Sequence, residues 1–399
     1  MPENLASFKV FCQGGLNTSR DVLSQGENQP GSATALINYE PAVTGGYRKI
    51  NGFANNYGTV TGTGSVLGVC VADGINDGIF ACRKPSSGNN YLHKWNNSSS
   101  AWDAVTTSGS PTMVGVTKVR FSRLNFGTPK IVLTDGINPA ATYDGSSYTQ
   151  ITHSDAPTDP KFSAIFQNHL FLAGDPAHPT KLYHSAPLAE TDFASGNGAG
   201  VINVGFPIVA IKSFRNELFI FGATNIKKLS GTALANFTVQ TVTDDLGCLA
   251  TDSVIEIGGD LLFLSQDGLR PISGTAKIGD VNLETVSKNI QSIFTDIVFD
   301  IDLDTLNAVV IRQKTQFRYF FGAADSQGII GGFRQTPNGL QFEYSQMLGI
   351  TATCAHSGYI GQNEIVLHGT SDGKVQQQES GNSFGGDPIF SIFQTPFFH

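Results

Sequence analysis

Seven short apolar runs recur along the chain, at intervals too long for single strands and regular enough to mark a repeated unit. They are GIFAC from 78, KIVLTDG from 130, NHLFLAGD from 168, NELFIFGA from 216, GDLLFLSQDG from 259, QFRYFFGAAD from 316 and NEIVLHGTSDG from 363. With Ile79, Ile131, Leu170, Leu218, Leu261, Arg318 and Ile365 as first strand residues, the gaps run from 39 to 57 residues. Their mean of about 48 falls within the ~40–50 residue repeat of propeller blades. Each run is nearly continuous in apolar residues, as a strand buried on both faces must be. Most pass through a turn of Gly, Asp or Asn into a more polar strand, as in TKLYHSA, IKKLSGT and LRPISGT, so the repeated unit is a hairpin. A β-sandwich would instead give single strands every roughly 8–12 residues. The spacing predicts an all-β chain: an irregular β-propeller of six to seven blades, with dry inner strands and half-wet outer ones.

Composition agrees. Charged residues are 15% of the chain, against about 25% in an ordinary globular domain, while 45 glycines and 28 phenylalanines supply turns and strands. The longest gap holds the one short helix expected, inserted near 285–298. In LETVSKNIQSIFTDIV, Val286, Ile290, Ile293, Phe294 and Ile297 share one face, and Ser287 or Thr285 is placed to cap it. The face predicts packing over or between blades. Beyond it, Asp300, Asp302 and Asp304 alternate as carboxylates on the wet face of a strand would. They do not open a calcium loop, because Thr305 and Ile311 stand where that loop needs glycine and an acid. Residues 1–60 read as an extended segment that closes the propeller or contacts a neighbour, and residues 61–399 as the propeller.

No catalytic, cofactor-binding or metal-binding residues emerge, and the chain is not expected to be an enzyme. The Asp box of propeller sialidases is missing: SQDGLRPIS and TSDGKVQQQ lack its tryptophan and set Gly directly after Asp, as turns do. Trp95 and Trp102 lie close together in a loop-like region. His153, His169, His178 and His184 show no HExxH and no helical pair, no GxSxG occurs, and SGNGAG at 195–200 lacks the lysine of a phosphate loop. Cys12, Cys70, Cys82, Cys248 and Cys354 have no metal spacing. Cys70 and Cys82 could pair across strands, but reduced buried thiols are preferred. A net charge of −8 argues against reading nucleic acid, though not against duplex DNA sliding past a weakly acidic wall. The start lacks a signal-peptide pattern, and no apolar run reaches the roughly 20 residues that span a bilayer. A soluble chain made in a cytoplasm, with no membrane insertion, is expected.

The stretch GGLNTSRDVLSQGENQPGSATALINYEPAVTGGYRKING, residues 14–52, resembles the N-terminal region of virion proteins from tailed bacteriophages. Ala35, Asn38, Tyr39 and Glu40 match one element, and Gly45, Gly46, Tyr47, Arg48, Ile50 and Gly52 a second. Residues 211–275 resemble blades of the same proteins through Phe214, Arg215, Asn216, Leu218, Gly247, Cys248, Asp252, Ser253 and the FLSQDGLR segment from Phe263 to Arg270, apart from the variable Gln266. The family with which the resemblance fits best is the short-tail nozzle, or hub.

That resemblance implies a structural virion protein without a cofactor, assembled in the host cytoplasm. It implies a homohexameric ring below a portal–adaptor ring, carrying tail fibres or spikes outside and letting double-stranded DNA pass without being read. The family-like segment Tyr39, Gly45, Gly46, Tyr47 and Arg48, and the apolar ending with Phe390, Phe393, Phe397 and Phe398, are then candidates for a subunit interface or for blade closure. Arg48 would bridge to a carboxylate, and the phenylalanines would be buried against the first blade, a neighbour, or further sequence. Two other roles stay open: a glycan-binding or glycan-cleaving propeller with an aromatic, carboxylate-lined pocket, and a head-to-tail stopper that stabilises packaged DNA.

Overall fold

Asn168, Asn216 and Gly259 open the third, fourth and fifth apolar runs, all with left-handed backbone (φ 63°, 62° and 76°). With Gln167, Arg215 and Gly258, also at positive φ, they form two-residue turns that join each run to the strand before it. Turns of this hand match the twist of the strands they connect. The computed structural model describes residues 12–29, 31–42, 45–275, 285–322, 327–336 and 339–396.

The chain is an all-β, seven-bladed propeller. Its innermost strands are, in order, Thr63–Val71, Arg120–Asn125, Phe162–Phe166, Ala210–Phe214, Ile255–Ile257, Asn307–Ile311 and Cys354–Ile360. Each is followed by one of the seven runs as the second strand: Ile79–Lys84, Pro129–Thr134, His169–Ala173, Glu217–Phe221, Asp260–Ser265, Gln316–Phe320 and Asn363–Gly369. The driest strand is therefore the second from the axis. It has a strand on each side and a blade above and below, whereas the innermost strand borders the axial space.

Seven apolar clusters fill the wedges, one between each pair of neighbouring blades. Phe80 and Tyr143 meet edge to face between the first and second blades, and Phe221 and Phe263 meet at a tilt between the fourth and fifth.

Both ends of the described chain are woven into the last two blades. Ala35–Ile37 lies parallel to Gly339–Leu348 of the sixth blade, and Ile392–Gln394 pairs antiparallel with it, so that sheet has six strands. Phe53–Ala54 pairs with Val375–Gln378 of the seventh blade, and Ser383–Phe384 and Asp387–Pro388 complete another six-stranded sheet. The ring is thus closed by strands from opposite ends of the sequence. Gly52 stands at this crossing: a Cβ there would overlap the carbonyl of Ser383. Gly52→Ala is expected to lower stability by about 1–3 kcal/mol, the usual cost of forcing atoms into a packed place, read as a lower urea midpoint with unchanged slope.

The short helix expected near 285–298 is present, while several finer expectations are corrected. The helix runs Gln291–Asp300 behind a 3-10 turn at Lys288–Ile290. Ser287 does not cap it; its hydroxyl accepts the N–H of Leu269 instead. Ile290 and Phe294 are buried and Val286 and Ile293 pack beside them between the fifth and sixth blades; the side chain of Ile297 lies outside the described ones. Asp300 ends the helix, and Asp302 and Asp304 belong to a 3-10 turn that Asp302 caps, not to a strand.

A further helix, Val22–Asn28, is capped by Asp21 and has no apolar periodicity to announce it. Trp95 and Trp102 are not in a loop. They face each other across adjacent strands of the first blade, rings 5.5 Å apart, joined by the polar turn that follows Asn96. All five thiols are free, four of them buried.

Candidate functional site

Residues from the innermost strands, or the loops leading into them, of all seven blades line an axial cavity of about 500 Å³. Its charged lining is Lys118, Arg120, Arg123, Lys212 and Asp252, with His356 beside them. At one end Asp252 accepts two bonds from Arg120 at 2.9 and 2.8 Å and one from Lys118 at 2.8 Å. Lys118 also donates to the carbonyls of Asp304 and Leu306. Burial works to push the Asp252 carboxyl up, but the Arg120 and Lys118 charges and bonds outweigh it and hold it at about 2. A carboxylate so neutralised is neither a proton acceptor nor a nucleophile near neutral pH. Ser122 and Ser163 share a hydrogen bond of 2.8 Å on the same wall.

A second cavity, of about 530 Å³, lies beside the third blade, lined by Asp155, Asp175, His178, Tyr183 and Phe193 among others. Asp175 accepts the N–H groups of Ala177 and Thr158 at 2.9 and 3.2 Å, so its carboxylate shapes a loop. The four histidines singled out in the sequence do not converge. His169 and His184 meet, rings 5.1 Å apart, and both donate Nδ1–H to the carbonyl of Ser185. Among the described residues no group of three or more metal-type ligands occurs.

The N-terminal residues that carry the family resemblance converge at the chain closure, while those of 211–275 lie in and around the fourth and fifth blades. Tyr39–Pro41 and Tyr47–Lys49 form a two-stranded hairpin whose Gly45 and Gly46 take φ of 99° and 74°, a backbone that only glycine adopts freely. Arg48 bridges to a carboxylate in its own hairpin, that of Glu40, at 2.5 Å. Glu40 is 1% exposed and also accepts Lys314 at 2.7 Å and Gln316 at 2.9 Å. Arg318, fully buried, lies 3.7 Å from Glu40, donates to Gln378 at 2.8 Å and pairs with Glu379, which Lys314 also meets. Burial alone would push Glu379 up; Arg318 and Lys314 overcome it and hold its carboxyl below the usual range. One polar cluster therefore ties the N-terminal hairpin to the sixth and seventh blades. Its core, Glu40–Arg318–Glu379, is invisible to local pattern; the one sequence signal was an arginine inside an apolar run.

Around it, Asn38 (φ 56°) donates to the carbonyls of Leu348 and Phe390 and accepts the N–H of Leu348. The hydroxyl of Tyr47 accepts the N–H of Gly15 at 2.7 Å, and Arg334 stacks over its ring. Phe393 packs against Tyr47 and Tyr39, with centroids 5.5 and 6.4 Å away, yet is 36% exposed, and Phe390 is 63% exposed. The ending thus lies on the N-terminal strands and the last two blades, not on the first blade, and this chain does not bury Phe390. Phe397 and Phe398 lie outside the described residues.

No family model and no curated protein matches the sequence. Among solved structures, the chain is similar to the extracellular domain of a candidate one-component system of B. thetaiotaomicron, with TM-score 0.50 and 13% identity over 82% of this chain. It spans 40% of that protein's chain. A second similarity, to Hsv2p of Kluyveromyces lactis, has TM-score 0.37 and 8% identity, over 68% of this chain and 82% of that one. At such identities the first likeness is one of fold alone.

Proposed function

We propose that the chain is a non-enzymatic structural component of a bacteriophage tail, in the form of a nozzle or hub ring below the portal and adaptor. One observation carries the reading. The N-terminal residues resembling tail proteins stand where the ring is closed, and the matching ones of 211–275 are built into the fourth and fifth blades. Asn38, Glu40 and Gly52 fasten the N-terminal segment to the last two blades, Arg334 of the sixth blade stacks over Tyr47, and Arg48 braces Glu40 within the hairpin. Asp252 alone among them lines the axial cavity, and its charge is taken up by Lys118 and Arg120.

In this reading a neighbouring copy covers Phe390 and Phe393, and DNA runs through the centre of a ring of copies. It does not thread a single propeller: about 500 Å³ corresponds to a cube of roughly 8 Å, narrower than the ~12 Å major groove alone. The virion tail is the proposed location, with fibres or spikes docking outside. Light-scattering mass and negative-stain images of the purified protein, alone and with portal–adaptor complexes, test it. Ring-shaped assemblies are expected, whereas a strict monomer that never joins those complexes would overturn the proposal. Phe390→Ser should shift any ring toward monomer without lowering the melting temperature, because the side chain is exposed in the single chain.

A carbohydrate-binding role is the second reading. Tyr183 and Phe193 beside Asp155 and His178 in the second cavity favour it, and a glycan array with no binder would remove it. A head-to-tail stopper differs from a nozzle in position along the tail, which a low-resolution virion map would show.

A further inference from the structure

The chain carries a net charge of −8, yet four cations and one carboxylate line its axial cavity. The carboxylate, Asp252, is engaged by Lys118 and Arg120 at one end. Arg123 and Lys212 are left over. Neither has a carboxylate oxygen within 4.0 Å among the described residues. The Arg123 side chain donates one bond, to the carbonyl of Asp73, and the Lys212 side chain makes no hydrogen bond among the described residues. Lys212 sits mid-strand in the innermost strand of the fourth blade, opposite Phe219, and is only half-exposed. An ammonium in such a place is costly without a counter-charge.

His356, from the seventh blade, completes the arrangement. Its Nδ1 accepts the backbone N–H of Val71 at 3.1 Å. That bond fixes the neutral ring with its proton on Nε2, a donor with no partner among the described residues. Burial keeps the ring neutral down to about 4, helped by Lys212, Arg312 and Arg123. Burial likewise pushes the Lys212 ammonium down; Glu256 opposes this from beyond 4 Å, and Arg312 adds to it. Arg312 itself faces Glu364 and Ser357. The result is an ammonium, a guanidinium and an N–H donor on the walls of a cavity with no free acid.

We propose that the axial cavity binds a phosphate group, free or as the head of a small phosphomonoester, through Lys212, Arg123 and His356. A dianion matches the two uncompensated charges, where a single carboxylate would match one. Phosphate also offers acceptor oxygens enough for all three donors at once. The volume leaves room for a small organic group beside it. The site is a property of one propeller and is independent of whether copies assemble into a ring.

Melting curves and calorimetric titration of the full chain test this, with inorganic phosphate, a hexose monophosphate, and chloride at matched ionic strength. A ligand that binds only the folded state raises the melting temperature with concentration. A rise with phosphate and not with chloride is expected, and a larger rise with the monoester would identify the organic form as the better ligand. Lys212→Met should melt no lower than the parent without phosphate and bind at least about tenfold more weakly. Lys228→Met, which removes a cation paired to Glu217, should bind as the parent does. Arg123→Gln, changing an exposed side chain, gives a second reading of lost affinity should Lys212→Met not fold. No response of the parent beyond the chloride control, or a Lys212→Met protein that binds undiminished, would overturn the proposal.

Discussion

Arg318→Ala is expected to lower the folding stability of the chain by about 3–5 kcal/mol, the usual consequence of leaving buried charge without its partner. The side chain has no exposed surface and stands between Glu40 and Glu379, with Gln316 and Gln378 on its remaining donors. Its loss leaves Glu379 with Lys314 as its one cation among the described residues, and the buried Glu40 with Lys314 and the half-exposed Arg48. Arg48→Ala should cost under about 1 kcal/mol, although Arg48 touches the same Glu40, because half of its side chain is in solvent. Urea unfolding gives both numbers. A double-mutant cycle pairing Arg318→Ala with Glu379→Gln should show a coupling of about 0.5–3 kcal/mol. Equal costs for Arg48 and Arg318, or a cycle with no coupling, would mean that this cluster does not hold the closure.

Acid should unfold the protein through its histidines before its carboxylates. Burial lowers His184, His356 and His368 from their ordinary value near 6.5 to about 4, and lowers His93 as well. Above pH 6.5 these rings are neutral folded or unfolded, and their contribution is flat. As pH falls from 6.5 towards 4, the unfolded chain takes up protons that the folded chain refuses, so stability drops throughout that window.

For the fully buried His184 and His368 the loss by pH 4 is on the order of 3 kcal/mol each. Asp252, lowered from 3.8 to about 2, loses its contribution as pH falls through the ordinary carboxylate range towards 2. His184→Phe is the informative variant: the ring sits among Phe171, His169 and Phe237, and His169 still donates to Ser185. Its urea midpoint should fall less steeply between pH 6.5 and 4.5 than that of the parent. Parallel curves for the two proteins would contradict the assignment.

The blades were legible because a strand enclosed on every side must be apolar at consecutive positions, and seven such runs cannot be hidden. Their rank within the blade was misjudged, since sequence shows dryness but not distance from the axis. The innermost strands are mixed instead: FSAIF alternates, and AIKSF leaves Lys212 and Ser213 partly exposed, both lining the axial cavity. The closure was half legible. Glycines and tyrosines marked a turn-bearing extended segment, but Glu40 and Arg318 are joined across 278 positions of sequence, beyond any local periodicity. A charged residue inside QFRYFF was the available clue. Phe390 shows the reverse, for its hydrophobicity predicted burial that this chain alone does not supply.

Because Phe53–Ala54 pairs with Val375–Gln378, a segment made early in synthesis must wait for one made late. During translation the first five blades can stack as an open arc, each neighbour covering the last, while the sixth and seventh lack their outer strands. Every nascent chain therefore passes through a stage with a raw sheet edge at its growing end. Two such arcs on adjacent ribosomes could exchange those strands, so the speed of the final stitch governs whether the product is a wheel or a tangled pair.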